Sequence, residues 1–176
     1  MRLFRRLYRD RRGVSAVEFA LIAPALIAFY FGLAELTQAM MAERKASHAA
    51  SAVGDLVAQS TQISDSTLSD IYEIADTIVS PFPTTSLKIR VTSVVADASL
   101  NAKVAWSSGD GMTALAKDST LDLPTGLLTA EGQSVIMSEV SYSYDSPVDY
   151  FVPNAVTFTK KFYLRPRKSD EVAKVN

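Results

Sequence analysis

The chain reads as an α+β protein: a long N-terminal helix whose first half crosses a membrane, plus a short helix packed on a roughly four-stranded antiparallel sheet. Three observations predict it. An apolar stretch from Val14 to Ala34 runs without a break into an alanine-rich stretch that ends near Ser60. A second helical pattern follows and stops at Pro81 and Pro83. Four later segments alternate apolar with polar residues, as strands covered on one face do.

The apolar stretch is 21 residues long and carries one charge, Glu18; from Phe19 to Ala34 there is none in 16 residues. At about 1.5 Å per residue it just spans a hydrocarbon core of roughly 30 Å. It exceeds the apolar segment of a secretory signal, about 7–15 residues, and no clear small-residue cleavage site follows it. A lone carboxylate in such a span is unfavourable by a few kcal/mol unless something neutralises it. Pro24 removes a backbone donor within the run and predicts a kink, with Gly32 beyond it. The pair either makes the helix adaptable or is simply tolerated, as in other membrane helices.

Residues 1–13 hold six arginines (Arg2, Arg5, Arg6, Arg9, Arg11, Arg12) against Asp10, a side-chain charge of +5. The other 12 basic and 18 acidic groups leave −6 for the remainder. A basic segment beside a membrane span predicts a cytoplasmic N-terminus and an acidic domain on the far side. With no basic face recurring downstream, nucleic acid is not an expected partner. The expected organisation is a basic leader at 1–13, a transmembrane helix at 14–42, an outer α+β domain at 43–168 and a flexible, fraying tail at 169–176.

Beyond Ala34 the composition stays helix-forming. Leu36, Met40, Ala46, Ala50, Val53 and Val57 form an apolar stripe interrupted at Glu43. One helix from Val14 to about Ser60 follows. Asp65 or Ser66 is placed to cap a second helix with Leu68, Ile71, Ile74, Ala75 and Ile78 on its apolar face. Leu87–Thr92 predicts a first strand, and Ala102, Val104 and Trp106 a second that closes on a turn at Ser108-Gly109-Asp110-Gly111. Residues 112–131 read as irregular with a short helix. Ser134–Tyr144 and Val156–Leu164 supply the last two strands, separated by a loop from Pro147 to Pro153.

No chemistry emerges from the motifs. There is no cysteine, so no disulfide or thiolate metal site, and the single histidine, His48, reads as a solvated helix residue. No nucleophile elbow, phosphate loop or zinc-protease motif occurs. Asp118 and Asp122 lack a calcium-loop context and read as solvated. Neither a cofactor nor a metal is expected, and the chain is not expected to be an enzyme. Tyr142, Tyr144, Tyr150 and Phe151 serve either a subunit contact or core and loop packing.

The string from Arg12-Gly13-Val14-Ser15-Ala16-Val17-Glu18-Phe19 through Leu26, with Phe31-Gly32-Leu33-Ala34-Glu35 behind it, resembles the processing region of type IV prepilins. It is most similar to TadE/TadG-like minor pilins, or pseudopilins, of tight-adherence (Tad/Flp) pilus systems. The resemblance implies cleavage between Gly13 and Val14 by an inner-membrane prepilin peptidase. It gives Glu18 and Phe19 an assembly role, with the Glu18 carboxylate pairing with the new Val14 amine of a neighbouring subunit. It further implies other major and minor pilins, the inner-membrane assembly platform and membrane lipid as partners. The expected location is the bacterial inner membrane, spanned once, with a periplasmic pilin-like domain. The expected role is initiation or the tip of a pilus. Two other readings remain: an uncleaved single-pass envelope protein whose outer domain binds a partner, and a membrane-tethered enzyme with an unrecognised site.

Overall fold

The computed structural model describes residues 13–146 and 155–175. Helix α1, Val14–Ala58, is a continuous rod of 45 residues, about 68 Å at 1.5 Å per residue. It runs through Pro24 without interruption. It ends at Gln59, whose backbone N–H bonds Asp55 O at 3.1 Å and whose side-chain amide donates to Asp55 Oδ2 at 2.7 Å.

The two halves of α1 differ in what they touch. Up to Ala34 its side chains are almost all exposed, whereas Ala42, Ala46, Ala49, Ala50, Val53, Gly54, Val57 and Ala58 are buried against the sheet and the second helix. The buried stripe is thus rotated from the expected one: Leu36 and Met40 are exposed. The reason is distance. A Cβ on Gly54 would lie 2.5 Å from Leu164 Cδ1 and 3.1 Å from Ser138 Cβ, so the helix sits too near the sheet for larger residues.

After a two-residue strand β1 (Gln62–Ile63) comes α2, Asp65–Val79. Its N-cap is Ser64, not Asp65 or Ser66; the Ser64 hydroxyl accepts from Thr67 N at 3.2 Å. Its buried face is Leu68, Ile71, Tyr72, Ala75 and Val79, while Ile74 is exposed and Ile78 only half-buried. Lys45 of α1 donates to Ile78 O at 2.9 Å and to Ser80 O at 2.5 Å. It thereby satisfies carbonyls at the negative end of α2.

The sheet has strands β2 (Leu87–Ala96), β3 (Ala102–Asp110), β4 (Thr120–Leu121), β5 (Ser134–Tyr144) and β6 (Val156–Leu164), all antiparallel in the order β4-β3-β2-β5-β6. The four long strands are those expected from the sequence, and β5 and β6 have the expected ends. β3 is longer: Ser107, Ser108 and Gly109 pair with Thr92, Val91 and Arg90, so the turn begins only at Gly111, where φ is +66°. The long β2 partner holds extended what turn chemistry would have bent.

Residues 112–131 form turns and β4, with no helix. Arg90 Nη1 on Thr113 O (3.0 Å), Ser119 O on Val104 N (3.0 Å) and Arg165 Nη2 on Leu127 O (3.1 Å) hold the segment against the sheet. On the helix-free face Thr92, Val94, Val104, Val135, Met137 and Glu139 are buried, so β2 and β5 are covered on both sides.

The C-terminal residues are tied down rather than fraying. Strand β7 (Ala173–Lys174) pairs in parallel with β1, Val172 is fully buried, and Trp106 Nε1 donates to Val172 O at 2.6 Å. Composition alone reads this stretch as a tail because only Val172 reaches the core. The partner for its backbone, β1, lies 110 residues earlier.

Candidate assembly site

Gly13 is the N-cap of α1, with φ −90° and ψ −8°, and its carbonyl accepts from Val17 N at 3.1 Å. No atom lies within 4 Å of where a Cβ would stand on it. Val14 opens the helix, and Gly13, Val14, Glu18 and Phe19 are all exposed. Val14 and Glu18 are one helical turn apart on the same face, the separation at which side chains neighbour each other. In the intact chain Val14 N is a peptide nitrogen; a cut after Gly13 would make it an ammonium beside that carboxylate. Among the described residues Glu18 takes part in no ion pair.

From Val14 to Leu33 the helix exposes Val17, Phe19, Leu21, Ile22, Leu26, Ile27, Phe29, Tyr30 and Phe31 on every side. A helix apolar all round, unburied by its own chain, belongs in lipid or among other helices. Its most apolar 18-residue window has a mean hydropathy of 2.0 and none of that window is buried. By length and composition it is compatible with a single membrane crossing. Pro24 lies within this exposed part.

The leader arginines lie outside the described residues, as do Tyr150 and Phe151. Tyr142 and Tyr144 are core residues, and Tyr142 donates to Pro83 O at 3.0 Å. His48 is exposed, and Asp118 sits in a turn at φ +62°. No three metal-ligating side chains converge among the described residues.

Three relationships escaped the sequence reading. Glu35, at the end of the apolar run, is 3% exposed and accepts from Ser146 Oγ at 2.6 Å. Glu43, the interruption in the stripe, pairs with Lys160 of β6 at 2.6 Å. Glu139 of β5 is buried between Arg90 of β2 (2.5 Å) and Lys161 of β6 (2.7 Å), each directly opposite it in register. The alternation of β5 placed Glu139 away from the helices, but nothing local named its partners.

Fold and site together define a class: an α+β domain carried on one long, exposed, membrane-compatible helix. Residues 13–55, which are nearly the whole of α1, match the family model described as TadE-like protein. That segment associates the chain with Tad pilus systems. No curated protein and no solved structure matches the chain.

Proposed function

We propose that the protein is a minor pilin of a Tad/Flp-type pilus, an assembly component and not an enzyme. Prepilin peptidase cuts the leader after Gly13. The mature chain waits in the inner membrane with its domain in the periplasm. It then joins other pilins through α1, at the start or tip of a pilus. Exposed apolar side chains drive the association, and Glu18 pairing with a neighbour's Val14 amine sets its register, a role for which a buried ion pair is suited.

The observation that carries this reading is the exposed Gly13–Phe19 segment at the head of a TadE-like helix that its own domain leaves uncovered. An exposed, uncrowded Gly13 is accessible to a peptidase, and Glu18 has no competing partner among the described residues.

Intact mass of the membrane-extracted protein tests the reading. In a host with the peptidase the chain should begin at Val14; recovery of only the full-length chain would favour the uncleaved envelope protein. A bulky replacement of Gly13 is the negative control. Glu18→Ala and Glu18→Gln should insert and be cut, yet lose crosslinks to partner pilins. Breaking a buried pair costs about 3–5 kcal/mol, less near headgroups, which still shifts assembly more than tenfold. Normal crosslinking in both variants would remove the pairing role and leave the processing claim standing.

A further inference from the structure

The outer face of α2 meets the end of β3 in a groove of about 340 Å³ whose polar lining includes Asp65, Tyr72, Glu73, Asp76, Ser108 and Asp110. Helix α2 carries four acids and no base, and its acids at 65, 73 and 76 all turn toward this groove. Asp65 is paired with Lys174 at 2.7 Å. Glu73, Asp76 and Asp110 have no ion pair among the described residues. Gly109 holds the strand end in place: a Cβ there would stand 2.1 Å from Met112 O, so only glycine lets β3 deliver Asp110 to the groove.

Beneath the carboxylates lies Tyr72, 9% exposed, whose hydroxyl has no hydrogen-bond partner among the described residues. Burial above all pushes this phenol upward, and the charges of Asp110 and Asp65 add to it, while Ser108 offsets part. Burial also raises Asp76 above the usual carboxylate range, with Asp110 and Glu73 adding like-charge repulsion. The groove therefore gathers uncompensated negative charge over a buried hydroxyl without a partner.

We propose that this groove receives the side-chain ammonium of a lysine presented by a partner protein. The donor and acceptor count favours it. An ammonium has three donors and no acceptor, and Asp76, Asp110 and the Tyr72 hydroxyl offer it three acceptors along the groove. A metal ion fits poorly, because no three carboxylates converge among the described residues. Asp65 and Asp76 stand 11 positions apart on α2, about 16 Å along the axis. An extended, flexible cation that enters between them relieves the repulsion that raises Asp76.

The test uses the full chain in detergent micelles with tetralysine peptide as the probe. Zero-length carbodiimide crosslinking followed by peptide mapping should mark Asp76 or Asp110. Asp76→Asn and Asp110→Asn should each weaken binding about tenfold, the loss of one charge-assisted hydrogen bond. Tyr72→Phe should weaken it by a smaller factor. Asp70→Asn, on an exposed part of α2 outside the groove, should leave it unchanged. Circular dichroism and Trp106 emission establish that each variant is folded. Equal affinity for wild type and the two groove variants, or crosslinks that fall mainly on Asp70, would overturn the proposal. So would displacement of the peptide by millimolar calcium alone, which would assign the groove to a metal.

Discussion

The hydroxyl of Ser146 donates to Oε1 of Glu35 at 2.6 Å, joining the end of strand β5 to the membrane-proximal part of α1 across 111 residues of sequence. Both residues are buried, seven positions before the alanine stripe of α1 begins at Ala42. Glu35→Ala should remove an acceptor of Ser146 at a cost of about 1–3 kcal/mol. Amides at 143–146 should then exchange hydrogen faster while those of β2 keep their protection. Unchanged exchange at 143–146 would mean that this contact does not hold the domain to the helix.

The carboxylate of Glu139 is buried and held by two cations from two neighbouring strands. Removing one partner of a buried pair leaves a charge poorly compensated, at about 3–5 kcal/mol. Arg90→Met should approach that loss. Lys161→Met should fall well below it, because Lys161 is half exposed and water can take its place. Denaturant unfolding of the two variants should show this order, and equal losses would contradict it.

Leu100 holds φ at +60° in the β2–β3 turn with half its surface exposed. A left-handed conformation costs a side-chain-bearing residue about 1–2 kcal/mol, which glycine avoids. Leu100→Gly should therefore raise the melting temperature by a few degrees. A lowered melting temperature would mean that Leu100 contributes packing worth more than its strain.

Asp97 shapes the same turn: Oδ1 accepts from Ser99 N and Asn101 N at 2.8 Å each, and Oδ2 from the Asn101 amide at 3.1 Å. Hydrogen bonds from Asn101, backbone then side chain, are the main cause that lowers its carboxyl below the ordinary 3.8. A depressed acid stabilises the fold above its unfolded value and loses that contribution as pH falls through the folded one. Melting temperature should thus drop between about pH 4 and pH 2, and Asp97→Asn should flatten part of that drop. An identical pH profile in the variant would remove the effect.

At Gly54 a small residue sets how closely α1 sits on β5 and β6. The Leu164 methyl that a Cβ would meet is the end of a flexible side chain, but Ser138 Cβ behind it is fixed in a central strand. Gly54→Ala should be near neutral, since alanine also favours the helix by about 1 kcal/mol. Gly54→Val should destabilise by about 1–3 kcal/mol through overpacking. Equal stability of the valine variant would show the helix free to move outward.

Local pattern is enough to read α1, the four long strands, and the Gly13–Phe19 segment. Periodicity and an apolar run of membrane length are written in consecutive residues, as is a glycine followed five positions later by a glutamate. The phase of each helix is not. Ile74 and Tyr72 are both plausible core residues of α2, and only its docking beside α1 and β3 buries the tyrosine and leaves the isoleucine outside. Leu36 and Met40 are likewise apolar enough for the core, but the close approach enforced around Gly54 admits alanines in their place.

What the sequence by itself determined is thus the helix that can cross a membrane, the segment that heads it, and the α+β class. Each rests on hydrophobicity and spacing within one segment. Tertiary structure alone decided that Glu35 and Glu139 are buried with partners, that residues 173–174 pair with 62–63, and that Asp76, Asp110 and Tyr72 share a groove. Those relationships join positions tens of residues apart. Burial of a polar group is favourable only where a partner arrives from another element, and no local pattern records which element that is.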